Sequence, residues 1–344
     1  MLVNKYIIVL FLLVGISNLG NAQSNCVQNL RDARNAYDEG KLQDMPNLLS
    51  KCIDNGFTDE EKVEALRFLT LSYLFSEEQE KAEISFLRLL KINPEFQVNQ
   101  ETDPTELIIL SENYDTDPKF FYGLKLGSSF NLIQITQYKP VFNLAGRGSY
   151  EPPIGFGAGL FFQYPINDDF TANAEVHYNY RGTVLIRPTV TAEGVSGAPQ
   201  TISENQQWIE MPLLINYKIP LVNKFLLEAT AGPSLHYLLS SYLSVEGGTE
   251  TINNLDMLNF RNQFNVSGII GLRGNFKQLG RNYITIEALY QYRFIEEVDF
   301  NSPGRSQLDL DLIPLSYAEN QYKGHAFILR LGFRFPRFNP ELIK

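Results

Sequence analysis

The sequence predicts an α+β chain: a small α-helical domain followed by an eight-stranded antiparallel transmembrane β-barrel. Three observations predict this fold. Apolar residues recur at a helical period up to about residue 117 and at a period of two after Pro118. The connections between the alternating runs are long and short in turn. All of the excess negative charge lies in the helical part, since residues 23–117 hold 9 basic and 20 acidic residues whereas residues 118–344 hold 19 of each.

Composition excludes several classes of protein. The chain has 344 residues and a net charge of −10, and 44 % of its residues are hydrophobic. Binding to nucleic acid needs clustered Lys and Arg, and an acidic chain is poorly suited to it. The apolar content is too high for wholesale disorder, and the sequence has no run of 18 apolar residues that could form a transmembrane helix. Composition therefore favours folded domains without membrane-spanning helices and predicts no nucleic-acid partner.

Residues 1–22 have the three parts of a secretory signal peptide. Lys5 provides the positive charge, and residues 6–16 form an apolar stretch that is too short to span a bilayer. Gly20 and Ala22 are the small residues before the expected cleavage point. Retention of this segment as an anchor is the alternative. We expect the mature chain to be exported into an oxidising compartment.

The chain has two cysteines, Cys26 and Cys52, and both lie in the acidic segment. Helices near residues 26–39 and 43–55, packed as an antiparallel hairpin, would place the two sulfur atoms opposite each other. An oxidising compartment then favours a Cys26–Cys52 disulfide, and two unpaired buried thiols are the alternative. Because no histidine lies nearby, the pair gives no indication of a metal site.

Residues 23–117 are predicted to form a periplasmic helical domain. Gly40 ends a first amphipathic helix, and Thr58 with Glu61 forms a capping box at the start of another. Asn93 and Pro94 end the helix after that, and Pro104 lies near the start of a last short helix. The segment therefore contains several short helices with marked start and stop signals.

Part of this domain resembles a tetratricopeptide repeat. If Pro94 is the last position of a 34-residue unit, six residues fall where such a repeat has the same residue types. They are Leu66, Leu69, Tyr73, Ala82, Phe86 and Pro94. The resemblance implies one good repeat at 63–96 after a degenerate one at 26–57, and a groove for protein segments. The alternative is a helical spacer whose acidic face keeps it soluble.

The barrel is predicted to occupy residues 118–338, with a C-terminal tail at 339–344. Its eight runs lie at about 119–132, 154–164, 169–182, 206–218, 223–243, 262–276, 282–294 and 324–335. Long connections at 133–153, 183–205, 244–261 and 295–323 alternate with short ones at 165–168, 219–222 and 277–281. A barrel with both termini on one side has this asymmetry, with short periplasmic turns and long extracellular loops.

The two faces of the predicted strands differ in chemistry. One face is apolar and aromatic, as at Phe156, Leu160 and Phe162, and the other combines glycines with ionisable residues. The ionisable residues are Lys125, Glu175, Arg181, Glu210, Glu228, Arg273, Glu287, Arg293, Arg330 and Arg334. An unpaired charge in a narrow lumen would cost several kcal/mol, so we predict a network of ion pairs there. Eight strands leave space for side chains and no open pore.

A soluble β-domain could show the same alternation. Long strands, tyrosines near the strand ends, and glycines beside opposite charges favour the membrane form. Pro212 and Pro233 lie inside predicted strands, where each removes a hydrogen bond from the ladder. We therefore expect β-bulges at these two positions.

Four motifs suggest a family. They are Tyr122-Gly123-Leu124-Lys125-Leu126-Gly127, Glu210-Met211-Pro212-Leu213-Leu214, Ala231-Gly232-Pro233-Ser234-Leu235 and Arg330-Leu331-Gly332-Phe333-Arg334-Phe335. Over roughly 119–338 they resemble the PorT-like outer-membrane β-barrels of Bacteroidetes-type bacteria, and the prefix is similar to prefixes found on such barrels. The resemblance implies the barrel fold, the two strand prolines, and insertion by the barrel-assembly machinery. It implies a link to type IX secretion for the founding member of the family only, and it provides no catalytic residues.

Two histidines, a tryptophan and several loop acids are the remaining candidate functional residues. His177 and His236 are expected to point into the lumen as hydrogen-bonded residues, and Trp208 is expected to anchor the outer membrane interface. Acids on the long loops are expected to be solvated; they are Asp256, Glu296, Glu297, Asp299, Asp309 and Asp311. No metal or cofactor motif is present, so the sequence predicts neither.

The sequence predicts an integral protein of the bacterial outer membrane, in contact with its lipid. Its periplasmic domain, residues 23–117, is expected to bind a basic periplasmic protein in an envelope assembly or secretion-associated scaffold, not to act as an enzyme. One alternative is an outer-surface adhesion or ligand-recognition barrel that uses the 295–323 loop. Another is an enzyme active at the outer rim, which is disfavoured because the long loops contain no histidine.

Overall fold

The structure is a computed structural model that describes residues 19–139, 148–191, 194–220, 225–247, 251–277, 281–312 and 317–343. It divides into two compact units. The first contains the described residues up to Pro118 together with those from Phe338 onwards, and the second contains Lys119–Arg337. Residues 1–18 of the predicted signal peptide lie outside the described residues.

The first unit is helical. Its helices are α1 (Leu19–Asp38), α2 (Met45–Ile53), α3 (Asp59–Phe75), α4 (Gln79–Ile92) and α5 (Thr105–Glu112), with a 3-10 turn at Leu42–Asp44. Their apolar faces bury one core, which includes Leu30, Leu49, Leu66, Leu90 and Leu107. Among the described residues, no helix is long and apolar enough to cross a membrane.

The predicted capping box at the start of α3 is confirmed. The Thr58 amide donates to Glu61 Oε2 at 2.9 Å, and the Glu61 amide donates to Thr58 Oγ1 at 3.3 Å. These bonds satisfy two of the amides that the first turn of a helix leaves without partners, and they fix where α3 begins.

A small antiparallel sheet completes the first unit. Strand β1 (Tyr114–Asp115) pairs with the last strand of the chain, β12 (Glu341–Leu342). Tyr114 is buried, and its ring contacts that of Phe86 at 5.4 Å between centroids. The segment 339–344, which the sequence analysis treats as a tail, therefore contains a strand that joins the helical unit, and its partner strand lies more than 200 residues earlier in the chain.

The second unit is a closed antiparallel barrel. Its strands are β2 (Pro118–Gln137), β4 (Ile154–Pro165), β5 (Phe170–Thr191), β6 (Gly194–Ile219), β7 (Phe225–Glu246), β9 (Phe264–Lys277), β10 (Tyr283–Arg293) and β11 (Gln321–Phe338). Each pairs with the next, and β11 is also the neighbour of β2, which closes the sheet. Two short strands, β3 (Ser149–Glu151) and β8 (Ile252–Asp256), pair with β5 and β7.

The long and short connections lie at opposite ends of this barrel. We call the end with the 165–170, 219–225 and 277–283 connections the short-turn end, and the other the long-loop end. Strand β2 begins and β11 ends at the short-turn end. At the long-loop end, the 294–320 connection contains helix α6 (Arg305–Leu312).

Strands β5 and β6 are longer than predicted. The prediction that residues 183–205 form a loop is wrong, because β5 and β6 remain paired from Phe170↔Tyr217 to Thr191↔Gly194. The apolar outer face ends near Tyr180 and Met211. The β5–β6 hairpin therefore extends beyond the apolar band. It remains a strand pair there because its side chains continue to alternate, with Leu185 and Ile202 buried on the inward face.

The two faces of the sheet have the predicted chemistry. In β4, Phe156, Leu160 and Phe162 are about half or more exposed on the outer surface, whereas the opposite face carries Phe161 and Gln163 in the interior. A large apolar outer surface on every strand of the barrel is the opposite of the arrangement in a water-soluble barrel.

The expected bulges at Pro212 and Pro233 are wrong. Pairing between β6 and β7 keeps one register across both prolines, from Pro212↔Ser234 to Ile215↔Ala231. Gly232 permits this, since a Cβ there would lie 2.1 Å from the Leu213 carbonyl oxygen. A proline removes one donor without adding a residue, so the ladder loses individual bonds and keeps its register. The register shift between these strands lies instead at Gln207/Trp208.

Candidate functional site

The interior of the barrel is the candidate site, because it gathers charged side chains from seven of its eight strands; β4 has no charged residue. Every residue of the predicted lumen network is at most 5 % exposed. These residues are Lys125, Glu175, Arg181, Glu210, Glu228, Arg273, Glu287, Arg293, Arg330 and Arg334. The structure brings them together in two main layers with a pair at the short-turn end.

The lower layer, nearer the short-turn end, consists of Lys125, Glu175, Arg273, Glu287 and Arg330. Lys125 Nζ donates to Glu175 and, at 2.7 Å, to Glu287 Oε1. Arg273 Nε donates to Glu287 Oε1 at 2.5 Å, and Arg330 Nη1 donates to Glu175 Oε2 at 3.1 Å. Each carboxylate therefore has at least two cationic partners, which offsets the cost of burying its charge.

A further pair lies beyond the lower layer. Glu228 faces Arg273 Nη1 at 3.4 Å and Arg334 Nη1 at 3.6 Å. The Arg334 guanidinium also lies 3.5 Å from the centre of the Phe121 ring, which gives it a cation–π contact. These contacts fill the lumen close to the short-turn end.

The upper layer consists of Arg181, Glu210, Arg293 and Glu297. Arg293 Nη1 donates to Glu297 Oε1 at 2.7 Å, and Arg181 Nη2 lies 3.4 Å from the same oxygen. Arg181 Nη1 is 3.6 Å from Glu210 Oε1. The expectation that Glu297 is a solvated loop acid is wrong, since it is 2 % exposed. Its connection turns back into the barrel, where two arginines hold the carboxylate.

The two lumen histidines are hydrogen-bonded as expected. His177 Nε2 lies 2.6 Å from Glu175 Oε2, and His236 Nε2 lies 2.7 Å from Ser267 Oγ. His236 Nδ1 is 3.1 Å from Glu210 Oε1. Both rings therefore support the two ionic layers.

Trp208 is not an interface anchor, and that expectation is wrong. Its side chain is 1 % exposed and lies inside the barrel, where Nε1 donates to Gln206 Oε1 at 2.9 Å. The Arg181 guanidinium lies over the indole, 4.2 Å from the ring centre. The inward orientation follows from the shared side-chain parity of Glu204, Gln206 and Trp208 in the extended β6 strand.

A third group of charges lies at the long-loop end and was missed by the sequence analysis. This mouth cluster consists of Glu204, Arg261, Arg305 and Glu319. Arg261 donates to Glu204 at 2.7 and 2.8 Å and also to Glu319, and Arg305 Nη1 donates to Glu319 Oε2 at 2.6 Å. Burial lowers the pKa of Arg261, but the two carboxylates outweigh it and raise that pKa well above its ordinary value.

Of the mouth cluster, Glu204 alone had a signal in the sequence, because it shares the inward parity of Glu210. The other three lie on connections, where no periodicity indicates direction.

Helix α6 covers the lumen at the long-loop end. Its residues Leu308 and Leu312, with Tyr317 after the helix, pack in one buried apolar cluster with residues of the barrel extension. Those residues are Leu185, Ile202, Leu243, Val245 and Met257. Burial raises the pKa of Tyr317 well above its ordinary value. In the described part of the barrel, ion pairs fill the lumen and an apolar cover lies over it.

The predicted disulfide in the helical unit is confirmed. Cys26 and Cys52 are bonded, with their Cα atoms 5.6 Å apart, and they join α1 to α2. The six positions of the proposed repeat lie in α3, α4 and the turn that follows. Leu66, Leu69, Ala82, Phe86 and Pro94 are buried, and Tyr73 packs against the same core.

The helical unit also has an open cleft of about 430 Å³. It is lined by Tyr37, Leu42, Leu71, Leu74, Phe75, Glu77, Pro104 and Glu106. Phe75 is 63 % exposed although its side chain is large and apolar. Glu77 has a backbone φ of 57°, which is unusual for a residue other than glycine. The cleft thus combines an apolar wall with two carboxylates.

The described residues contain no group of three or more His, Cys, Asp and Glu side chains placed to hold a metal ion. His325 lies on β11 beside Tyr290, whose hydroxyl is 3.2 Å from His325 Nδ1. It is therefore separate from the two lumen histidines.

The closed antiparallel sheet, its apolar outer surface and its ionic interior define an integral β-barrel protein of the bacterial outer membrane. A family model described as outer membrane protein beta-barrel domain matches residues 110–298, and the chain belongs to that family. No curated protein matches the chain.

Several solved structures are similar to the chain. Ail, the attachment invasion locus protein of Yersinia pestis, is 12 % identical with a TM-score of 0.28, over 64 % of this chain and 99 % of its own. OprG of Pseudomonas aeruginosa is 9 % identical with a TM-score of 0.35, over 66 % and 97 %. A major outer membrane protein of Thermus thermophilus is 9 % identical with a TM-score of 0.37, over 63 % and 99 %.

Proposed function

We propose that this barrel anchors an interaction domain to the outer membrane, as a scaffold in envelope assembly or secretion. The helical unit would lie in the periplasm and bind a basic protein segment. The observation that carries the proposal is the cleft of the helical unit, in which Leu71, Leu74 and Phe75 lie beside the acids Glu77 and Glu106.

The periplasmic orientation is inferred from the barrel. Bacterial barrels place their short turns in the periplasm and their long loops outside the cell. Since β2 begins and β11 ends at the short-turn end, the segments that continue from them would start on the periplasmic side. The 294–320 connection and the β5–β6 extension would then face the cell exterior.

The proposed scaffold would combine a tetratricopeptide-like helical unit with a PorT-like barrel. The burial of five of the six repeat-like positions, with Tyr73 packed against the same core, supports a tetratricopeptide-like unit, and the strand motifs resemble the PorT-like barrels. The β11 sequence from Arg330 to Phe335 would serve as the signal for the barrel-assembly machinery. A non-enzymatic role fits the histidines, because His177 and His236 are buried in ionic layers and His325 lies apart from them.

Charge complementarity makes the proposal testable on the full-length protein in detergent micelles. The probes are two labelled peptides, Lys-Lys-Leu-Phe-Leu-Lys-Lys and its counterpart with Glu in place of Lys. We expect the basic peptide to bind more tightly, with an affinity that falls as salt is raised, because exposed charges are screened. The double variant Glu77→Lys, Glu106→Lys should weaken binding by about tenfold, which corresponds to about 1.4 kcal/mol.

A matched control uses an acid outside the cleft. Glu112→Lys changes the net charge at the exposed end of α5 and does not line the cleft. The comparison uses the single variants Glu77→Lys and Glu106→Lys, which change the net charge by the same amount. If Glu112→Lys weakens binding as much as either of them, only the overall charge matters. Equal binding of the two peptides, or binding that salt does not change, would contradict a basic partner.

A second candidate is recognition of a ligand at the long-loop end. A cleft of about 560 Å³ there is lined by Asn259, Arg261, Asn262, Gln263, Phe264, Ile295, Asp299 and Pro303. Phe264 is 70 % exposed, so the cleft has amides, a carboxylate and an apolar wall within reach of a ligand. Attachment of intact cells to host surfaces, compared between wild type and Phe264→Ser, tests this role. Equal attachment would exclude the cleft.

A further inference from the structure

A small polar cavity lies between the two ionic layers of the lumen. Its volume is about 20 Å³, which is enough for one water molecule or one slightly larger ion. Its wall includes Arg181, Arg293 and Arg330 together with Gln291 and Glu210. Three arginines therefore line one small space inside a barrel that crosses the membrane.

Several N–H donors on this wall lack a hydrogen-bond partner. Arg181 Nη1, Arg293 Nε and Gln291 Nε2 are buried without one, and these three residues are at most 4 % exposed. Burying a donor without a partner is costly, so three such donors in one cavity indicate a bound acceptor. Asn131 Oδ1 is an unpartnered acceptor on the same wall, and rotation of that amide by half a turn presents Nδ2 instead.

The charges around the cavity do not balance. Together with the adjoining Glu228–Arg334 pair, the two layers contain six bases and five acids. They are Lys125, Arg181, Arg273, Arg293, Arg330 and Arg334 against Glu175, Glu210, Glu228, Glu287 and Glu297. Glu210 is shared by Arg181 and His236, and Glu297 is shared by Arg181 and Arg293. The layers and the adjoining pair thus carry one positive charge in excess, in a region where such a charge is costly.

We propose that this cavity binds one small monovalent anion, with chloride as the representative ion. The anion accepts hydrogen bonds from Arg181, Arg293 and Gln291 and compensates the surplus positive charge of the two layers. Water satisfies the donors but leaves the charge, and a carboxylate or phosphate group is too large for the volume. This site is independent of the proposed role of the helical unit.

The wall is shaped for this occupancy by glycines. A Cβ at Gly157 would lie 1.8 Å from Asn179 Oδ1, and a Cβ at Gly127 would lie 2.7 Å from Arg330 Cγ. Both residues line the cavity. The absence of side chains at these two positions lets the polar groups lie against the sheet and leaves the space between them open.

Diffraction provides the direct test. Crystals of the full-length protein soaked in sodium bromide are expected to show an anomalous peak inside the cavity, within hydrogen-bonding distance of the Arg181 and Arg293 guanidinium groups. Density for the wall without an anomalous peak would mean that the cavity holds water, and the proposal would be overturned.

Stability provides a second test in solution. The urea midpoint of the wild-type barrel should be higher in sodium chloride than in sodium gluconate of equal ionic strength, because gluconate is too large for the cavity. Gln291→Leu should lose this chloride-dependent shift. Gln163→Leu is the matched control: Gln163 is also a buried lumen glutamine, does not line the cavity, and should leave the shift unchanged.

A third variant predicts the opposite sign. Gln291→Glu places a carboxylate beside the arginines and should raise the midpoint in gluconate while abolishing the response to chloride. A chloride shift that is absent from the wild type, or that persists equally in Gln291→Leu and Gln291→Glu, would overturn the proposal. The bromide experiment on the wild type decides the matter if a variant does not fold.

Discussion

At the scale of single residues, the lumen depends on carboxylates that are each shared by several cations. Glu175 has the most partners: Lys125, His177, Arg273 and Arg330 all lie within 3.5 Å of it. Glu175 is only 3 % exposed, so bulk water cannot replace it as the partner of these four residues. Removal of one member of such a buried set is more damaging than removal of a whole pair, because the remaining charges lose their compensation.

Replacement of Glu175 by Leu should therefore strongly destabilise the barrel. We expect the free energy of unfolding to fall by about 3–5 kcal/mol, because three buried cations lose a partner. Urea unfolding of the refolded protein in micelles measures the change. Glu151→Leu, at an exposed position on β3, is the control and should change it by no more than about 0.5 kcal/mol. Similar losses in both variants would contradict the buried network.

At the scale of single elements, the strands carry the membrane interaction and α6 closes the lumen. Leu160 and Tyr164 lie on the same outer face of β4, with exposed fractions of 68 % and 57 %. Tyr164 is close to the short turn, whereas Leu160 lies nearer the middle of the strand and so nearer the bilayer centre. Leu160 and Tyr164 are therefore similarly exposed in the structure but would lie at different depths in a membrane.

A charge on the outer face should have a cost that depends on depth. Leu160→Arg is expected to destabilise the barrel by about 2–4 kcal/mol, and Tyr164→Arg by about 0–1 kcal/mol, because the interface solvates the guanidinium. Unfolding in lipid vesicles gives both values. If the two substitutions cost the same, the apolar band does not lie in the hydrocarbon.

A substitution on the buried face of helix α6 should detach the helix from the barrel. Leu312 is fully buried under the extension of the barrel, whereas Leu310 on the opposite face is 59 % exposed. Leu312→Asp should detach the helix because an unpaired carboxylate cannot remain in the apolar cluster. Trypsin should then cleave after Arg305, which is buried in the native fold.

The control for this experiment is Leu310→Asp, which should leave Arg305 as resistant to trypsin as it is in the wild type. Cleavage of both variants, or of neither, would show that Leu312 does not hold the cover in place.

At the scale of the whole molecule, the chain is two units with separate sources of stability. The helical unit has an apolar core, a disulfide and the strand pair β1–β12, whereas the barrel has a closed hydrogen-bonded sheet and an ionic interior. The net charge of −10 comes from the acidic helical segment, because the charges of the barrel segment balance.

Loss of the disulfide should consequently affect one unit and not the other. Cys26→Ser with Cys52→Ser releases a loop with a sequence separation of 26 residues and should destabilise the helical unit by about 3–4 kcal/mol. Proteolysis of the helical unit should increase, while the heat-modifiable gel migration of the barrel should be unchanged. A lower melting temperature of the barrel in the double variant would show that the two units unfold together.

Local patterns in the sequence determined most of the architecture. Side-chain direction in a strand alternates at every residue, so the apolar face, the ten lumen charges and the approximate strand positions could all be predicted from alternation. The helices and the capping box of Thr58 and Glu61 follow from the same local reasoning at a period of 3.6. The predicted helical hairpin and the predicted export into an oxidising compartment together favoured the Cys26–Cys52 bond over two unpaired thiols.

Only the tertiary structure decided which charges meet and where the connections go. Glu297 and Glu319 lie on connections without periodicity, and both are buried beside arginines. Glu297 contacts Arg293, four residues earlier, and Arg181 of the distant strand β5. Glu319 contacts Arg261 and Arg305, which themselves lie on connections. Strand β12 pairs with β1, which lies more than 200 residues earlier in the chain. Local periodicity reports the direction of a side chain, whereas its partner depends on closure of the barrel, which brings together residues far apart in sequence.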